Sequence, residues 1–344
     1  MDDRQWNTLV SAIRGEPLSP LPVGFIIDSP WLPNWAGCSI LDYFTDERAF
    51  LNANLKAVRS FPKVLFLPGF WSEYGMCTEP SAFGAVSMWE EDEFPFAKKV
   101  IHSISDVDRL EKPNPRKDGL LPFVIKRLAH LQSEIEHAGH KIRFAVARGP
   151  LNIASFLMGS TEFMIALKTD PEPMHRMLSI ITDFLVDWIA WQRSCFPSID
   201  GILLLDDIVG FVSQRDFVTF ALPYLQRVFS AEVTVKFFHN DASCKACAPL
   251  LPETGINLLN FGVQHTLADM KLWTNGKIAL LGNIPPRDVL AAGNPDDVQR
   301  AVADMLEGLQ DHSRLIVSCG GGMPPRVPTE NIEALVAAVE RFVE

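Results

Sequence analysis

The sequence predicts an α/β fold of the (β/α)8 barrel type, carried by one domain, and three observations support this. Eight short runs of apolar and β-branched residues are spread along the chain, and each of the later ones is followed by apolar residues at helical spacing. Strands covered on both faces read as such unbroken apolar runs, which is the mark of a parallel sheet. Polar residues gather where the runs stop, and the carboxyl ends of strands are where barrels keep their chemistry.

Composition sets the bounds. With 344 residues, 47% apolar and 21% charged, the chain can bury a large core and is not disordered. The length admits two domains, but α/β barrels of this size run as one, and no repeat, low-complexity tract or linker divides the sequence. The strand and helix core is placed at about residues 20–344, with helical additions before it. A net charge of -11 and a pI near 5.2 argue against nucleic acid or an anionic membrane as partner, because either needs a basic surface. The opening segment MDDRQWNTLVSAIRGE has no apolar stretch of signal-peptide length, and no run reaches about 18 apolar residues, so a soluble cytoplasmic protein is expected. Six scattered cysteines, Cys38, Cys77, Cys195, Cys244, Cys247 and Cys319, give no secreted disulfide framework and read as free thiols, one or two of them available as ligands.

Taken in order, Trp6 to Arg14 has helical spacing, and Pro17, Pro20 and Pro22 end it. The first strand is PVGFIID, closing at Asp28. A turn-rich loop follows, then a helix over 40–60 from the spacing of Phe44, Phe50, Leu51, Leu55 and Val58. The second strand, 63–67, runs into PGFWSEYGM, a loop carrying Trp71, Glu73 and Tyr74. After a polar, proline-marked stretch and a helix at 120–138, the third strand at 142–147 leads to Arg148 and a helix through Met158. Helices at 161–168 and 173–195 follow, the second with the core stripe Met177, Ile181, Phe184, Leu185 and Trp188. The fourth strand, 201–205, ends in Asp206 and Asp207. The fifth, 233–238, stops at His239, Asn240 and Asp241, and the helix after it is closed by Gly255. Strands at 256–261, 277–281 and 314–318 complete the eight.

Parallel strands bring their carboxyl ends together, so Asp28, Glu73, Tyr74, Arg148, Asp206, Asp207, His239, Asn240, Asp241, His265, Asn283, Arg287 and Cys319 are expected on one rim. Each also has a structural use: Asp206 as a cap, Arg148 as an ion-pair partner, Asn283 in a turn. His239, Asp241 and Cys319 form the sharpest set, since imidazole, carboxylate and thiolate all bind zinc and a catalytic zinc keeps three protein ligands and an open position. The competing reading makes His239 an acid-base or hydrogen-bonding residue and Cys319 a small buried one. Cys244-x-x-Cys247 is a second metal or redox candidate, but a lone pair at the start of a helix is weak evidence.

The segments GPLNIASFLMGS, LLLDDIVG, ETGINLLNF, LLGNIPPRDVL and SCGGGMPPRVPTENIEALVAAV resemble the uroporphyrinogen decarboxylase superfamily, well from about residue 142 onward and loosely before it. The resemblance implies a (β/α)8 barrel and two activities to separate: cofactor-free decarboxylation of uroporphyrinogen, and zinc-dependent methyl transfer from a methylated corrinoid to a thiol. The arginine-rich motif of true decarboxylases reads DSPWLPNWAGC here, their tyrosine falls on Phe156 and their late histidine on Gly321. The methyltransferase branch carries His-x-Cys after strand five and a second cysteine after strand eight. His239 and Cys319 match these positions, and Asp241 stands where the middle cysteine is expected, leaving more positive charge on the metal.

The resemblance therefore implies a zinc enzyme, with His239, Asp241 and Cys319 as ligands, moving a methyl group between a corrinoid of the methylcobalamin type and a small thiol or similar acceptor. No D-x-H-x-x-G corrinoid-binding segment is found, so the corrinoid would arrive on a separate protein. In such a site Asp207, Glu73 and Arg148 orient the reactants, and Trp71, Tyr74, Asp206, Asn240 and Asn283 line the substrate pocket. The alternative is a decarboxylase or lyase acting on another carboxylated substrate. A degenerate barrel with a binding or regulatory role comes third, opposed by the dense polar rim.

Overall fold

A computed structural model describes residues 1–27 and 30–342, so Asp28 lies outside the described residues. All eight expected strands are present: β1 (Val23–Ile26), β2 (Val64–Leu67), β3 (Phe144–Arg148), β4 (Gly201–Leu205), β5 (Val235–Asn240), β6 (Leu258–Phe261), β7 (Ala279–Ile284) and β8 (Leu315–Cys319). They form one parallel sheet in the order β2-β1-β8-β7-β6-β5-β4-β3, curled with helices around it, which is the (β/α)8 architecture. Strand ends differ from the sequence reading by up to three residues. The difference matters at β5, which runs to Asn240 and so takes His239 into the ladder opposite Asn260 and Leu205.

Side chains alternate between two layers because successive residues of a strand face opposite sides. Ile26, Leu65, Leu67, Phe144, Val146, Leu203, Leu205, Val235, Phe237, Leu258, Ala279, Leu281 and Ile316 fill the barrel interior as one apolar cluster. Their neighbours in sequence, such as Phe25, Leu204, Phe238, Leu259, Leu280 and Val317, belong to the larger cluster under the helices.

The first helix, Asp3–Arg14, closes the amino-terminal end of the barrel. Asp2 caps it by accepting from the Gln5 N–H, and Gly15 ends it at φ 76°. Its apolar face, Trp6, Leu9, Ala12 and Ile13, joins the interior cluster, with Trp6 edge-on to Phe144 at 5.6 Å. Burial of Trp6, Leu9 and Ile13 contributes roughly 1.5–3 kcal/mol each. This end of the barrel is thereby a packed floor, and chemistry is confined to the other end.

The hydrogen-bonded order ends at β2 and β3, and side chains cover the β3 edge there. The Gln192 amide donates to the Val146 carbonyl (2.9 Å) and accepts from the Val146 N–H (3.0 Å), standing in for a neighbouring strand. Gln192 and Trp188 lie one turn apart on the helix Pro171–Cys195. In the same seam the carboxyl of Glu79 accepts from the Arg148 N–H.

The expected 40–60 helix is two, Ile40–Thr45 and Glu47–Ser60, because Asp46 leaves helical geometry to cap the second through its side chain. No single helix among the described residues is long and apolar enough to cross a membrane.

Candidate functional site at the carboxyl end of the barrel

Alternation decides which strand-end residues enter the barrel. His239 shares the inward face of β5 with Val235 and Phe237, Asn260 follows Leu258 on β6, Asn283 follows Leu281 on β7, Ser318 follows Ile316 on β8, and Arg148 follows Val146 on β3. Trp71, from the loop after β2, packs on the interior cluster above them. These side chains make a polar layer on top of an apolar core.

His239 is 6% exposed and its environment fixes its tautomer. The Asn260 amide donates from Nδ2 to the Leu281 carbonyl (2.9 Å) and the Cys319 carbonyl (3.5 Å), so its Oδ1 is turned to His239. Oδ1 can only accept, so the 2.7 Å contact to Nδ1 requires a proton on Nδ1. In its neutral form the ring carries its lone pair on Nε2. Nε2 stands 3.8 Å from Asp207 Oδ1 and 3.7 Å from Asp241 Oδ1, between two carboxylates at the mouth. The Asp241 N–H donates to Asp207 Oδ1 at 2.8 Å, which ties the two acids into one unit. Burial raises the Asp241 carboxyl above the usual range; the His239 ring opposes that shift and the Asp207 charge adds to it. A fixed lone pair beside two acids is the equipment of a general base whose conjugate acid is stabilised as it forms.

Gly321 makes room for this arrangement. Its φ is 76°, and a Cβ there would lie 2.3 Å from Asp241 Oδ1. Glycine at 321 and the carboxylate at 241 therefore belong together. Gly321→Ala is expected to push Asp241 away from His239 and lower turnover about 10-fold, with strain from the left-handed backbone costing about 1–2 kcal/mol of stability. Steady-state kinetics beside thermal denaturation separate the two effects, and unchanged turnover would remove Asp241 from the site.

Arg148, at the end of β3 and two strands from His239, donates from Nη2 to Glu73 Oε2 at 2.7 Å, with both side chains about nine-tenths buried. A buried pair of this kind costs desolvation on both sides, so it is weak evidence of stability and better evidence of a positioned charge. The structure brings Glu73 and Arg148 together as one ion pair beside the barrel interior.

Four expectations are corrected by the alternation. Asp206 is fully buried and faces the helix layer, where it accepts from the N–H groups of Leu151 (2.9 Å) and Asn152 (3.0 Å) at the start of the helix Pro150–Met158. It is a cap supplied from another strand, and a Cβ on Gly149 would collide with it. Asn240 is also fully buried and outward, accepting from the Ala242 N–H at 2.8 Å. Tyr74 turns into the outer cluster against Phe44 and Trp89. Cys319 shares the outward face of β8 with Val317, fully buried, and burial pushes its thiol up to about 12. Asn283, inward and half-buried, donates to the His265 carbonyl (2.7 Å) and so secures the loop after β6.

The zinc set expected from His239, Asp241 and Cys319 is tested by this geometry. Two donors face each other at 3.7 Å, but the thiol lies on the outward face of β8, where the Gly321 carbonyl is 3.8 Å from its sulfur and it feels the Asp241 charge. Among the described residues no three His, Cys, Asp or Glu side chains close up enough to hold a metal ion. The residues as placed do not fit a three-ligand zinc centre, and no chemical step is derived through one. The Cys244 and Cys247 pair is fully buried, and its mutual contact and burial hold the Cys244 thiol well above its usual range, so it reads as packing.

Three groups were missed from the sequence. Asn260 and Ser318 sit inside apolar strands and are visible only by counting alternation. Ser318 Oγ and the Trp71 indole N–H are buried without a hydrogen-bond partner among the described residues, leaving polar capacity directed at the barrel interior. Glu79, on the short helix Thr78–Ala82, is 2% exposed, and burial raises its carboxyl to about 7. A carboxyl buried beside an arginine carries no periodic signal. Cavity size does not single out this end of the barrel: a cleft of about 750 Å³ lies beside the first helix at the opposite end.

Comparison with known proteins bears on this geometry. The chain is 24% identical over 279 residues to the uroporphyrinogen decarboxylase of Pseudoalteromonas translucida, covering 77% of this chain and 76% of that protein. That of Pectobacterium atrosepticum gives the same identity and coverage. Among solved structures, a methyltransferase from Methanosarcina mazei superposes with a TM-score of 0.83 at 20% identity over 98% of both chains. A B12-independent methionine synthase from a Shewanella species superposes with a TM-score of 0.59 at 12% identity, over 93% of this chain and 97% of that one. The model of the uroporphyrinogen decarboxylase (URO-D) family matches residues 5–342, so the chain belongs to that family.

Proposed function

We propose that this protein is a methyltransferase that moves a methyl group between a carrier and a small thiol or similar acceptor at the mouth of the barrel. The observation that carries the reading is the placement of His239, its Nδ1 against Asn260 Oδ1 and its Nε2 between Asp207 and Asp241. The acceptor X–H loses its proton to Nε2, X takes the methyl group, and the bonding pair remains on the carrier. The imidazolium that forms is stabilised by the two carboxylates. The pair of Arg148 and Glu73, at the end of β3 two strands away, orients the reactants. The resemblance makes the carrier a methylated corrinoid on a separate protein. Zinc is not part of the reading, because the third donor faces away.

Gly321 favours this branch over decarboxylation: a histidine there would occupy the space of the Asp241 carboxylate. The decarboxylase relatives keep a second reading alive, carbon dioxide release from another carboxylated substrate. The test supplies methylcobalamin as donor with a panel of simple thiols and follows the visible spectrum of the corrinoid. Thiol-dependent demethylation that disappears in His239→Ala supports the proposal. No demethylation with any thiol, together with carbon dioxide release from uroporphyrinogen, would overturn it.

A further inference from the structure

Outside the barrel, a cavity of about 470 Å³ opens between the helices Ile40–Thr45 and Leu121–His137 and the loop carrying Tyr74. Its size is within the range of small-molecule pockets. Phe44, Tyr74 and Trp89 form a corner of three rings whose centroids are 5.8 to 6.2 Å apart. Such a corner offers both ring faces and ring edges to a planar guest. Phe123, 60% exposed, stands at the rim on the helix face that also presents Lys126 and Arg127, three and four residues on.

Arg127 is the second observation, and it points to an anion. It is 4% exposed, its guanidinium lies 5.0 Å from the Tyr74 ring and 5.3 Å from the Phe50 ring, and Nη2 donates to the Phe44 carbonyl. Nε and Nη1 find no hydrogen-bond partner among the described residues. Of the neighbouring carboxylates, Glu134 pairs with Arg48 at 2.6 Å, and Glu47, which lines the cavity, lies 3.4 Å from His130; neither forms an ion pair with Arg127 among the described residues. A buried guanidinium with stacked rings and one hydrogen bond is under-compensated. With Lys126 beside it, the cavity lining carries two cations against the single carboxylate of Glu47, on a chain of net charge -11.

We propose that this cavity binds a small aromatic carboxylate, its ring in the Phe44, Tyr74 and Trp89 corner and its carboxylate drawn to Lys126 and Arg127. Tyr74 adjoins Glu73, the partner of Arg148, in the sequence. The site rests on geometry separate from the methyltransferase reading and stands or falls without it.

The experiment titrates the full chain with benzoate by calorimetry, with 4-fluorobenzoate followed by fluorine NMR as a ligand-observed check. Saturable binding at about millimolar affinity, the scale for so small a ligand, is expected. Lys126→Glu and Trp89→Ala should each weaken it at least 10-fold; position 126 is exposed, so a folding failure there is not expected. His239→Ala should leave it unchanged, and benzamide and acetate should bind at least 10-fold more weakly. Absent saturation, acetate binding as well as benzoate, or loss in His239→Ala with retention in Lys126→Glu would each overturn the proposal.

Discussion

Asn260→Leu is expected to lower methyl transfer about 100-fold, approaching the loss from removing His239 itself, because the outer partner of a histidine sets which nitrogen is available. In the native protein the Asn260 amide is locked by two carbonyls, and its Oδ1 holds the proton of His239 on Nδ1. Leucine leaves Nδ1–H without an acceptor in a buried place and lets the ring turn or change tautomer, so Nε2 no longer faces Asp207 and Asp241. The Leu281 carbonyl loses its donor too, and the stability cost is about 1–3 kcal/mol. Nitrogen-15 NMR of the His239 ring distinguishes the causes: protonation at Nδ1 alone in the wild type, mixed or Nε2 protonation in the variant. Asn260→Asp keeps an acceptor but loses both amide donors, and an intermediate rate is expected. Full activity of Asn260→Leu would mean that His239 needs no orienting partner and is not the base.

Much of the fold was legible because parallel strands buried on both faces leave long apolar runs, and the eight runs were found with ends out by a few residues. Those few residues were the obstacle at the site. Placing the end of β5 at Phe238 rather than Asn240 treated His239, Asn240 and Asp241 as one cluster in a loop, with every side chain free to turn inward. With β5 continuing to Asn240, His239 faces the interior and Asn240 the helices. The same reasoning separates Asp206 from Asp207 and Ser318 from Cys319. Within each pair the neighbours look equivalent in sequence, and the face each occupies tells them apart.

The metal expectation shows the same weakness in sharper form. His239, Asp241 and Cys319 are each good ligands, and their positions match the pattern of the resemblance. Ligand chemistry does not place the thiol on the axis side of β8, and the inward position there is held by Ser318. Asn260 was passed over because one polar residue in LLNF reads as a tolerated interruption. Its importance lies in what the neighbouring strands offer it, the carbonyls of Leu281 and Cys319, which are distant in sequence.

Glu79→Gln is expected to stabilise the protein by about 3 kcal/mol at pH 8 while changing little at pH 5, an effect of sign opposite to that of most carboxylates. The carboxyl is fully enclosed in the seam beside β3, and burial lifts it from 4.5 to about 7, against the pull of the Arg148 charge and the N–H groups of Glu79 and Arg148. The Trp188 indole approaches without good hydrogen-bond geometry, and Oε2 is left without a partner among the described residues. Between these two values the folded chain holds a proton that the unfolded chain has released. Its contribution is thus fully present below about pH 4.5 and is lost as the pH rises through about 7. Glutamine mimics the protonated carboxyl, still accepts from the Arg148 N–H, and carries no charge to bury. In a chain of this length 3 kcal/mol corresponds to about 4 °C in Tm. Denaturation of wild type and variant across pH 5 to 8 isolates the contribution of Glu79, since every other titrating group is common to both. A stability difference that does not grow with pH would show that Glu79 is ionised in the fold, and that the charge beside Arg148 is present throughout.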